Sequence, residues 1–326
     1  MKIFLTGSNG LLGQNVLRQL LQRGHEVNVL VRPGKENLIA EGSPWKQHLC
    51  IFTGSILKAP DLEQAMKGCQ AVIHCAGDTQ MNHLRLTDYR PINVDCVQLI
   101  LNIMRRLNIH RMVHVSTANT IGYGSPSQIA NETMPMETPF AESFYALTKK
   151  EGEDLVIDAS SLCSENHLVV VNPGFMLGAY DLKLSSGQLL LAAYRKPFMI
   201  APKGGKSFVP VGDAACAIVN ALEMGKNGER YLLTGENLTL RQFYQIQAQT
   251  MGYRQRIIDL PDWMALTAGK IGDLIRLLGI PTQLSSRNIH QLLVTEHYTN
   301  QKATEQLQMP HTALSQSIRD FFETRR

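Results

Sequence analysis

The sequence has no long apolar run, few aromatic residues and no large excess of charge of either sign. Its most apolar stretches, such as 168–171 and 189–194, are far shorter than the roughly 18 residues of a membrane-spanning helix. Only 6% of its 326 residues are aromatic, and the formal net charge is +4. Nucleic-acid binding usually needs a stronger basic excess. We therefore expect a globular protein without a membrane or a nucleic acid as partner.

Cysteine and histidine are present, but not at the spacings of a metal site. The six cysteines form no C-x-x-C pair. The one H-x-x-x-H spacing among the ten histidines, His110 and His114, runs into the predicted strand 111–117, where residues four apart are too distant to share a metal. Scattered thiols of this kind are typical of a reduced compartment rather than a disulfide scaffold. The first ten residues lead straight into a strand and a glycine turn, which leaves no room for a signal peptide. The sequence thus predicts a cytoplasmic protein with no metal.

What the sequence does contain is an alternation of short β-branched runs with helical patterns. Leu12, Val16 and Leu20 recur at helical spacing after the first run, and Gly24 is placed to end that helix. Such alternation predicts an α/β fold, a doubly wound parallel Rossmann-like sheet. The predicted strands span 2–7, 26–32, 49–54, 71–77, 111–117 and 168–174.

The alternation weakens after residue 174. The segment FVPVGD, a helix over 213–224 and the run YLLTGE follow, and then a series of helices from 239 to the end. This pattern predicts a dinucleotide-binding domain over 1–174 and a smaller substrate lobe over 175–326. Residues of about 208–234 are expected to supply the last elements of the sheet.

A glycine-rich turn lies between the first strand and the first helix. Gly7, Gly10 and Gly13 follow the spacing G-x-x-G-x-x-G, which permits a tight turn and a close approach of the backbone to a pyrophosphate. The N-terminus of the helix would then hold the anion. This context predicts a dinucleotide site formed by Gly7, Gly10 and Gly13 together with Asn9, Leu11 and Leu12.

The residue that ends the second strand bears on the choice of dinucleotide. An acidic side chain here would bind the ribose 2′-hydroxyl of NAD, but the sequence has Arg32, followed by Lys35. A guanidinium fork matches a 2′-phosphate. We therefore expect NADP, with NAD as the alternative if Arg32 is only a solvated residue.

Tyr145 and Lys149 are four residues apart and share one helix face. A nearby ammonium favours the phenolate, so Lys149 is expected to lower the tyrosine pKa, as an acid–base tyrosine requires. A hydroxyl at the end of the fifth strand, from Ser116 or Thr117, could orient a substrate carbonyl. Tyr298 and Lys302 repeat the spacing, but they follow no such strand end, and we interpret them as a surface coincidence.

Together these motifs make the sequence resemble the extended short-chain dehydrogenase/reductase family, also called the NAD-dependent epimerase/dehydratase family. Within that family it is similar to the dihydroflavonol-reductase-like branch. The resemblance covers most of the chain. The segments that carry it are TGSNGLLG (6–13), VIHCAG (72–77), PINVDCVQLILN (91–102), VHVSTANTIGYG (113–124), YALTK (145–149), VNPGFMLG (171–178) and FVPVGDAACAI (208–218).

The resemblance implies roles for individual residues. Tyr145 would be the catalytic acid/base, Lys149 would also hold the nicotinamide ribose, and the family's hydroxyl position falls on Thr117 rather than Ser116. Asn93 would be structural. Relatives also suggest a homodimer through helices near 94–107 and 145–160. The remaining cofactor contacts would come from Ala76, Gly77, Pro173 and Met176.

Two departures from the family pattern limit these expectations. Many relatives have an acidic residue after the third strand to bind the adenine. Here Ser55 and Ile56 occupy that place, so the contact falls to the Ser55 hydroxyl or to backbone. Sugar-nucleotide dehydratases usually place an Asp-Glu pair after the catalytic threonine, whereas Ala118 and Asn119 follow here, which makes dehydration unfavourable.

The sequence therefore predicts an NADP-dependent oxidoreductase that interconverts a carbonyl and a secondary alcohol on a small substrate. One alternative is a nucleotide-sugar epimerase that retains NAD, and another is a catalytically silent dinucleotide sensor or scaffold. The substrate itself is not predicted, because pocket shape sets it. Several side chains could line the pocket or simply pack, namely Phe140, Phe144, Phe175 and Met176.

Overall fold

The computed structural model of the protein describes residues 1–38 and 43–325. Within these residues the strands, in chain order, are β1 (Lys2–Thr6), β2 (Glu26–Val31), β3 (Leu49–Thr53), β4 (Ala71–His74), β5 (Arg111–Val115), β6 (His167–Pro173), β7 (Phe175–Leu177), β8 (Phe198–Ala201), β9 (Gly205–Pro210), β10 (Arg230–Leu233), β11 (Glu236–Thr239) and β12 (Arg256–Asp259).

The α-helices alternate with the strands in the first half and dominate the second half. They are α1 (Leu11–Gln22), α2 (Ala59–Met66), α3 (Cys96–Arg106), α4 (Phe144–Ser160), α5 (Gly187–Ala193), α6 (Val211–Met224), α7 (Leu240–Thr250), α8 (Asp262–Leu277), α9 (Ser286–Leu293), α10 (Gln301–Leu307) and α11 (Leu314–Glu323).

A seven-stranded sheet in the order β10-β6-β5-β4-β1-β2-β3 forms the centre of the molecule, and its paired strands are parallel. Along each strand the side chains alternate between the two faces of the sheet, and this divides the core into two layers. Ile3 and Leu5 pack with α1 and α6, whereas Phe4 packs with α2 and α3. The predicted doubly wound fold is confirmed.

The strand order reverses between β1 and β4. The chain runs from β1 outward to β2 and β3, then returns to β4 and continues in the other direction. The connections at the carboxyl ends of β1 and β4 therefore diverge and leave a crevice, which is where open α/β sheets bind ligands. The glycine turn follows β1 and lies at this crevice.

The second half of the chain forms a smaller layer of its own. Here β11, β9 and β7 form one small sheet, and β12 pairs with β8 in another. Phe208 and Phe243 stack at 4.4 Å in the core of this part. The boundary at residue 174 stays a prediction. β10 joins the central sheet, and α6 packs against it.

All six strands expected from the sequence are present, and Gly24 has the positive φ of 76° expected at the end of α1. The expected run of helices from residue 239 is wrong in one place, because Arg256–Asp259 forms β12. No helix in the described ranges combines the length and the apolar character that crossing a membrane requires.

Candidate active site

Two positions in the turn after β1 can hold only glycine. Gly7 has a φ of 71°, and a Cβ there would lie 2.7 Å from the backbone nitrogen of Ala76. A Cβ on Gly13 would lie 2.1 Å from the carbonyl oxygen of Gly7. The first contact holds the turn against the end of β4, and the second lets α1 approach the turn closely. Both distances are too short for any side chain, so the turn is fixed by close backbone packing.

The N-terminus of α1 opens toward this crevice. Gly10 is its N-cap and supplies no side chain to cap it, and the first turn contains no acidic residue. Leu11 and Leu12, the first residues of the helix, are buried. Helix N–H groups without a capping side chain are well suited to an anion. The residues therefore fit the pyrophosphate of a dinucleotide.

Basic side chains surround the outer end of the turn. Arg32 directly follows β2 and is exposed, and Lys35, three residues later, is exposed as well. Lys183 donates a hydrogen bond of 2.7 Å to the Asn9 side chain, and the pKa of Lys183 is lowered by burial and by the charges of Arg32 and Lys35. Lys183 was missed in the sequence, because nothing in its surroundings there connects it with the glycine turn.

The segment after β3 has a carboxylate that sequence reasoning also missed. The Ser55 backbone N–H donates 2.8 Å to Asp61, whose side chain occupies the space beside Gly54. The Ser55 hydroxyl accepts from the N–H of Leu57, and the carbonyl of Ile56 accepts from the Cys96 thiol. Asp61 thus stabilises the loop that follows β3.

The segment after β4 is anchored at both ends. The N–H of Ala76 donates 3.1 Å to Thr6 Oγ1, which also bonds His74 at 2.7 Å. Asn93 accepts from the N–H of Asp78 at 2.8 Å and donates to Thr148 at 3.1 Å. Asn93 therefore ties this segment to α4, in agreement with a structural role.

Gly77 lies between these anchors, beside the lysine of the predicted pair. A Cβ at Gly77 would stand 3.6 Å from Asn93 Oδ1 and 3.8 Å from Lys149 Nζ. On the other side of the crevice, Pro173 ends β6 and Met176 lies partly buried in β7. The structure thus brings the ends of β4 and β6 to the same edge of the sheet.

The Thr117 side chain lies near the Tyr145 hydroxyl and favours its deprotonated form, against the effect of burial on the Tyr145 pKa. Thr117 follows β5 and caps a short 3₁₀ turn, and Tyr145 lies in the first turn of α4, whose N-cap Ser143 accepts from Ala146. The Ser116 hydroxyl is buried and has no hydrogen-bond partner among the described residues. Of the two candidate hydroxyls, the structure brings Thr117 to the tyrosine.

Lys149 is almost fully buried and donates 2.8 Å to the carbonyl of Val115. Burial lowers the pKa of Lys149 to about 8, against a smaller opposing effect of Glu153. The expectation that Lys149 lowers the tyrosine pKa is wrong for this arrangement. Burial raises the pKa of Tyr145, the Thr117 side chain opposes that rise, and Lys149 is held on the strand carbonyl instead.

Two histidines form a neutral layer beneath Lys149. His74 and His114 are fully buried and stack at 5.4 Å. Burial, with a smaller effect of Lys149, lowers the pKa of His74 to about 3 and that of His114 well below its usual value. Neither ring nitrogen of His114 has a hydrogen-bond partner among the described residues. His74 is thus a core residue, as the sequence favoured.

A buried ion pair fixes the rotation of α4. Glu153 lies four residues after Lys149, is fully buried, and bonds Thr120 and Asn172 at 2.8 Å each. Arg230, on β10, approaches the same carboxylate at 3.2 Å. Tyr145, Lys149 and Glu153 therefore form one stripe on the helix, anchored to β6 and β10.

A small cavity opens beside Tyr145. Phe144, Arg276 and Arg287 are among the residues that line it. The Arg287 guanidinium lies 3.8 Å from the centre of the Phe144 ring. Next to it is a larger cavity of about 350 Å³, bordered by His83 and Pro281. Of the other possible pocket residues, Phe140 is fully buried and packs against Tyr123, and Phe175 packs against Phe208.

The second Tyr-Lys pair is not on the surface, which corrects the sequence interpretation. Tyr298 is 2% exposed and donates to the carbonyl of Ala118 at 3.4 Å. Lys302 bonds Glu229 at 2.6 Å. This pair is a packing and ion-pair feature.

One group of possible metal ligands also exists in the described part of the chain. His110, Cys163 and Glu165 bring one ligand atom each to within 4.8 Å of one another. They precede β5 and β6, at the sheet edge opposite the crevice. The wide sequence separation hides the group from a spacing search, and its His110 already bonds Asn166 and Asn108.

The family model described as "NAD dependent epimerase/dehydratase family" matches residues 3–233. The chain belongs to this family. As a member it is an NAD(P)-dependent enzyme of the extended short-chain dehydrogenase/reductase type.

Curated relatives have names of reductases and dehydrogenases. A protein of Synechocystis sp. provisionally named dihydroflavonol 4-reductase is 27% identical, with 97% of this chain and 92% of that protein aligned. A Stigmatella aurantiaca protein named 4-hydroxy-2-methyl-3-oxo-4-farnesyl-3,4-dihydroquinoline-1-oxide ketoreductase is 32% identical, covering 84% of this chain and 80% of the relative.

A sterol-4-alpha-carboxylate 3-dehydrogenase (decarboxylating) of Dictyostelium discoideum is 25% identical, covering 86% of this chain and 87% of that protein. Among solved structures, the crystal structure of gox2253 superposes with a TM-score of 0.82 at 24% identity, covering 99% of this chain and 97% of that one. This last similarity supports the fold alone.

Proposed function

We propose that this family member is an NADP-dependent oxidoreductase that interconverts a carbonyl group and a secondary alcohol. The observation that carries the proposal is the placement of the Thr117 side chain beside the hydroxyl of Tyr145, which itself lines a cavity. Bound NADP supplies or accepts the hydride. A ketoreductase and a sterol dehydrogenase among the relatives agree with this chemistry.

Each residue of the site has a role in this proposal. Tyr145 passes a proton to or from the substrate oxygen, and Thr117 holds that oxygen by a hydrogen bond. Lys149, whose Nζ lies beside Gly77, would hold the nicotinamide ribose. Replacing Tyr145 with Phe should remove turnover while leaving cofactor binding intact.

The preference for NADP rests on a cluster of cations. Arg32, Lys35 and Lys183 lie close enough for the first two to lower the pKa of the third. A 2′-phosphate would relieve this repulsion, whereas a neutral ribose would leave it in place. The test is a fluorescence titration of NADPH and NADH with wild type, Arg32→Asp and Lys183→Ala.

Each substitution should weaken NADPH binding about tenfold, as expected for the loss of one charge-assisted hydrogen bond, and should leave NADH binding nearly unchanged. The exposed Arg319, on α11, provides the control Arg319→Ala. Tighter binding of NADH than of NADPH by wild type, unaltered by Arg32→Asp, would contradict the proposal and favour the NAD-retaining epimerase.

We also propose that the substrate has a carboxylate. Arg276 and Arg287 both line the cavity of Tyr145, and Arg287 forms no ion pair within the described ranges. Its pKa is lowered by burial and by Arg276. Two neighbouring guanidinium groups at one small cavity repel each other, and an anion bound between them would relieve that repulsion. The Dictyostelium relative is named for a carboxylate substrate.

The substrate experiment follows absorbance at 340 nm with 3-oxoalkanoates, their methyl esters and the matching methyl ketones. We expect the acids to be preferred, and Arg287→Met to raise KM for the acids about tenfold or more while changing kcat/KM for the ketones little. Arg319→Met is the matched control. Equal rates for acids and esters would exclude the carboxylate, and turnover of a UDP-sugar without net change in NADPH would indicate the epimerase.

A further inference from the structure

Helix α8 has its small residues inside and its large apolar residues outside. Ala265, Gly269 and Gly272 are its buried positions. A Cβ on Gly272 would lie 1.9 Å from the carbonyl oxygen of Leu284, and one on Gly269 would lie 2.9 Å from the Cα of Ser286. The helix therefore packs closely on the segment that leads into α9.

The opposite side of α8 is exposed and apolar. Its residues recur at three- and four-residue spacing, so they lie on one face of the helix. These residues and their exposed fractions are Trp263 69%, Met264 44%, Ile271 54%, Leu274 62% and Leu277 83%, followed by Leu278 73% and Ile280 52%.

The strand pair that precedes α8 also exposes large apolar side chains. Phe198 and Ile200 on β8 are 60% and 59% exposed, and Ile258 on β12 is 44% exposed. β12 ends three residues before α8 begins. We call these three residues, together with the seven of α8 and the segment after it, the apolar face. Exposed apolar surface of this extent usually marks an interaction site.

Basic residues accompany the apolar face. Arg254, Arg256 and Lys270 are exposed and form no ion pair within the described ranges. The nearby carboxylates of Asp259 and Asp262 are instead paired with Arg241 and Lys203. The free charges on this side of the molecule are therefore positive.

We propose that the apolar face docks on the surface of an anionic lipid bilayer, with α8 lying in the plane of the interface. The face combines the features of interfacial helices: a wide apolar side, a tryptophan, and basic groups that reach the headgroups. A second copy is a poorer partner, because a symmetric contact would bring the same unpaired cations together. The earlier expectation of no membrane partner considered only membrane-spanning segments.

The docked orientation would place the cavities close to the lipid. Arg276, on the same helix, lines the cavity of Tyr145, and Pro281, directly after Ile280, borders the larger cavity. A lipophilic molecule could then enter from the bilayer. The docking proposal itself does not depend on the reaction that the enzyme catalyses.

The test is flotation with lipid vesicles. Wild type should float with vesicles of phosphatidylcholine containing about one-third phosphatidylglycerol, and less with phosphatidylcholine alone or at high salt. Leu274→Glu with Leu277→Glu should lower the bound fraction about tenfold or more. The control Leu162→Glu changes a leucine that is 66% exposed after α4 and should bind like wild type.

A second measurement needs no change on the helix. In a Trp45→Phe background, the emission of Trp263 should shift to shorter wavelength when the anionic vesicles are added. Absence of flotation and of this shift would overturn the proposal, as would binding that Leu274→Glu with Leu277→Glu leaves unchanged. A wild-type dimer that this double variant converts to monomer in sedimentation equilibrium would assign the face to a second copy instead.

Discussion

The stacked pair of His74 and His114 should make the protein sensitive to mild acid. Both side chains are buried and neutral in the folded protein, with the pKa of His74 lowered to about 3. In the unfolded chain each histidine titrates near its usual pKa of about 6.5. Because the folded pKa is depressed, the stabilising contribution is fully present above about pH 6.5 and is lost as the pH falls below it.

The amount of stability lost follows from the difference in histidine pKa between the folded and unfolded states. At about pH 5.5 the unfolded state gains about 1.4 kcal/mol per histidine from protonation that the folded state does not gain. Protonation of the two histidines in the unfolded chain thus lowers the free energy of unfolding by about 3 kcal/mol. Folded proteins typically have an unfolding free energy of about 5–15 kcal/mol, so this is a large part of it. Because both nitrogens of His114 are unpaired, His114→Leu should leave stability at neutral pH unchanged or higher.

The assay is urea unfolding of wild type, His114→Leu and the exposed control His311→Gln at about pH 7.5 and pH 5.5. Between these values the loss of unfolding free energy in His114→Leu should be smaller than in wild type by about 1.4 kcal/mol. The control should keep the wild-type loss. If His114→Leu retains the full loss, His114 is protonated or hydrated in the folded protein and the reasoning fails.

Two further predictions concern the glycine turn and the anchor of α4. Gly13→Ala should destabilise the protein and abolish NADPH binding, because its Cβ would lie 2.1 Å from Gly7 O; Gly212→Ala, where a Cβ meets nothing within 4 Å, is the control for both readouts. Arg230→Met should lower the unfolding free energy by about 3 kcal/mol, because it removes the ion-pair partner of the buried Glu153 carboxylate. Urea unfolding should also detect substantial recovery in Arg230→Met with Glu153→Gln, and equal losses in the single and double variants would refute that explanation.

Local patterns were sufficient to predict the central sheet and the glycine turn. β-branched runs such as LVVV identify buried strands, and Gly7 and Gly13 have conformational and steric requirements that any reader of the sequence can anticipate. The strand β12 was missed because three of its four residues are exposed, so it lacks the apolar run of a core strand.

The other features that the sequence did not predict depend on contacts between segments that are distant along the chain. Lys183 meets Asn9 across 174 positions, and Arg230 meets Glu153 across 77. Tyr298 is buried against Ala118, 180 positions earlier. Such contacts depend on how the second half of the chain folds back on the first, which no short motif records.

The Glu153–Arg230 pair also has a consequence for the order in which the enzyme is assembled. Tyr145 and Lys149 leave the ribosome well before Arg230, and the segment from β7 to α6 is synthesised in between. Until β10 joins the sheet, the carboxylate that holds α4 in place lacks its arginine partner. The proton-transfer residues are thus encoded in the first half of the chain, whereas the arginine that completes the anchor of their helix is made only after the lobe-forming segment, so completion of this anchor is coupled to completion of the sheet.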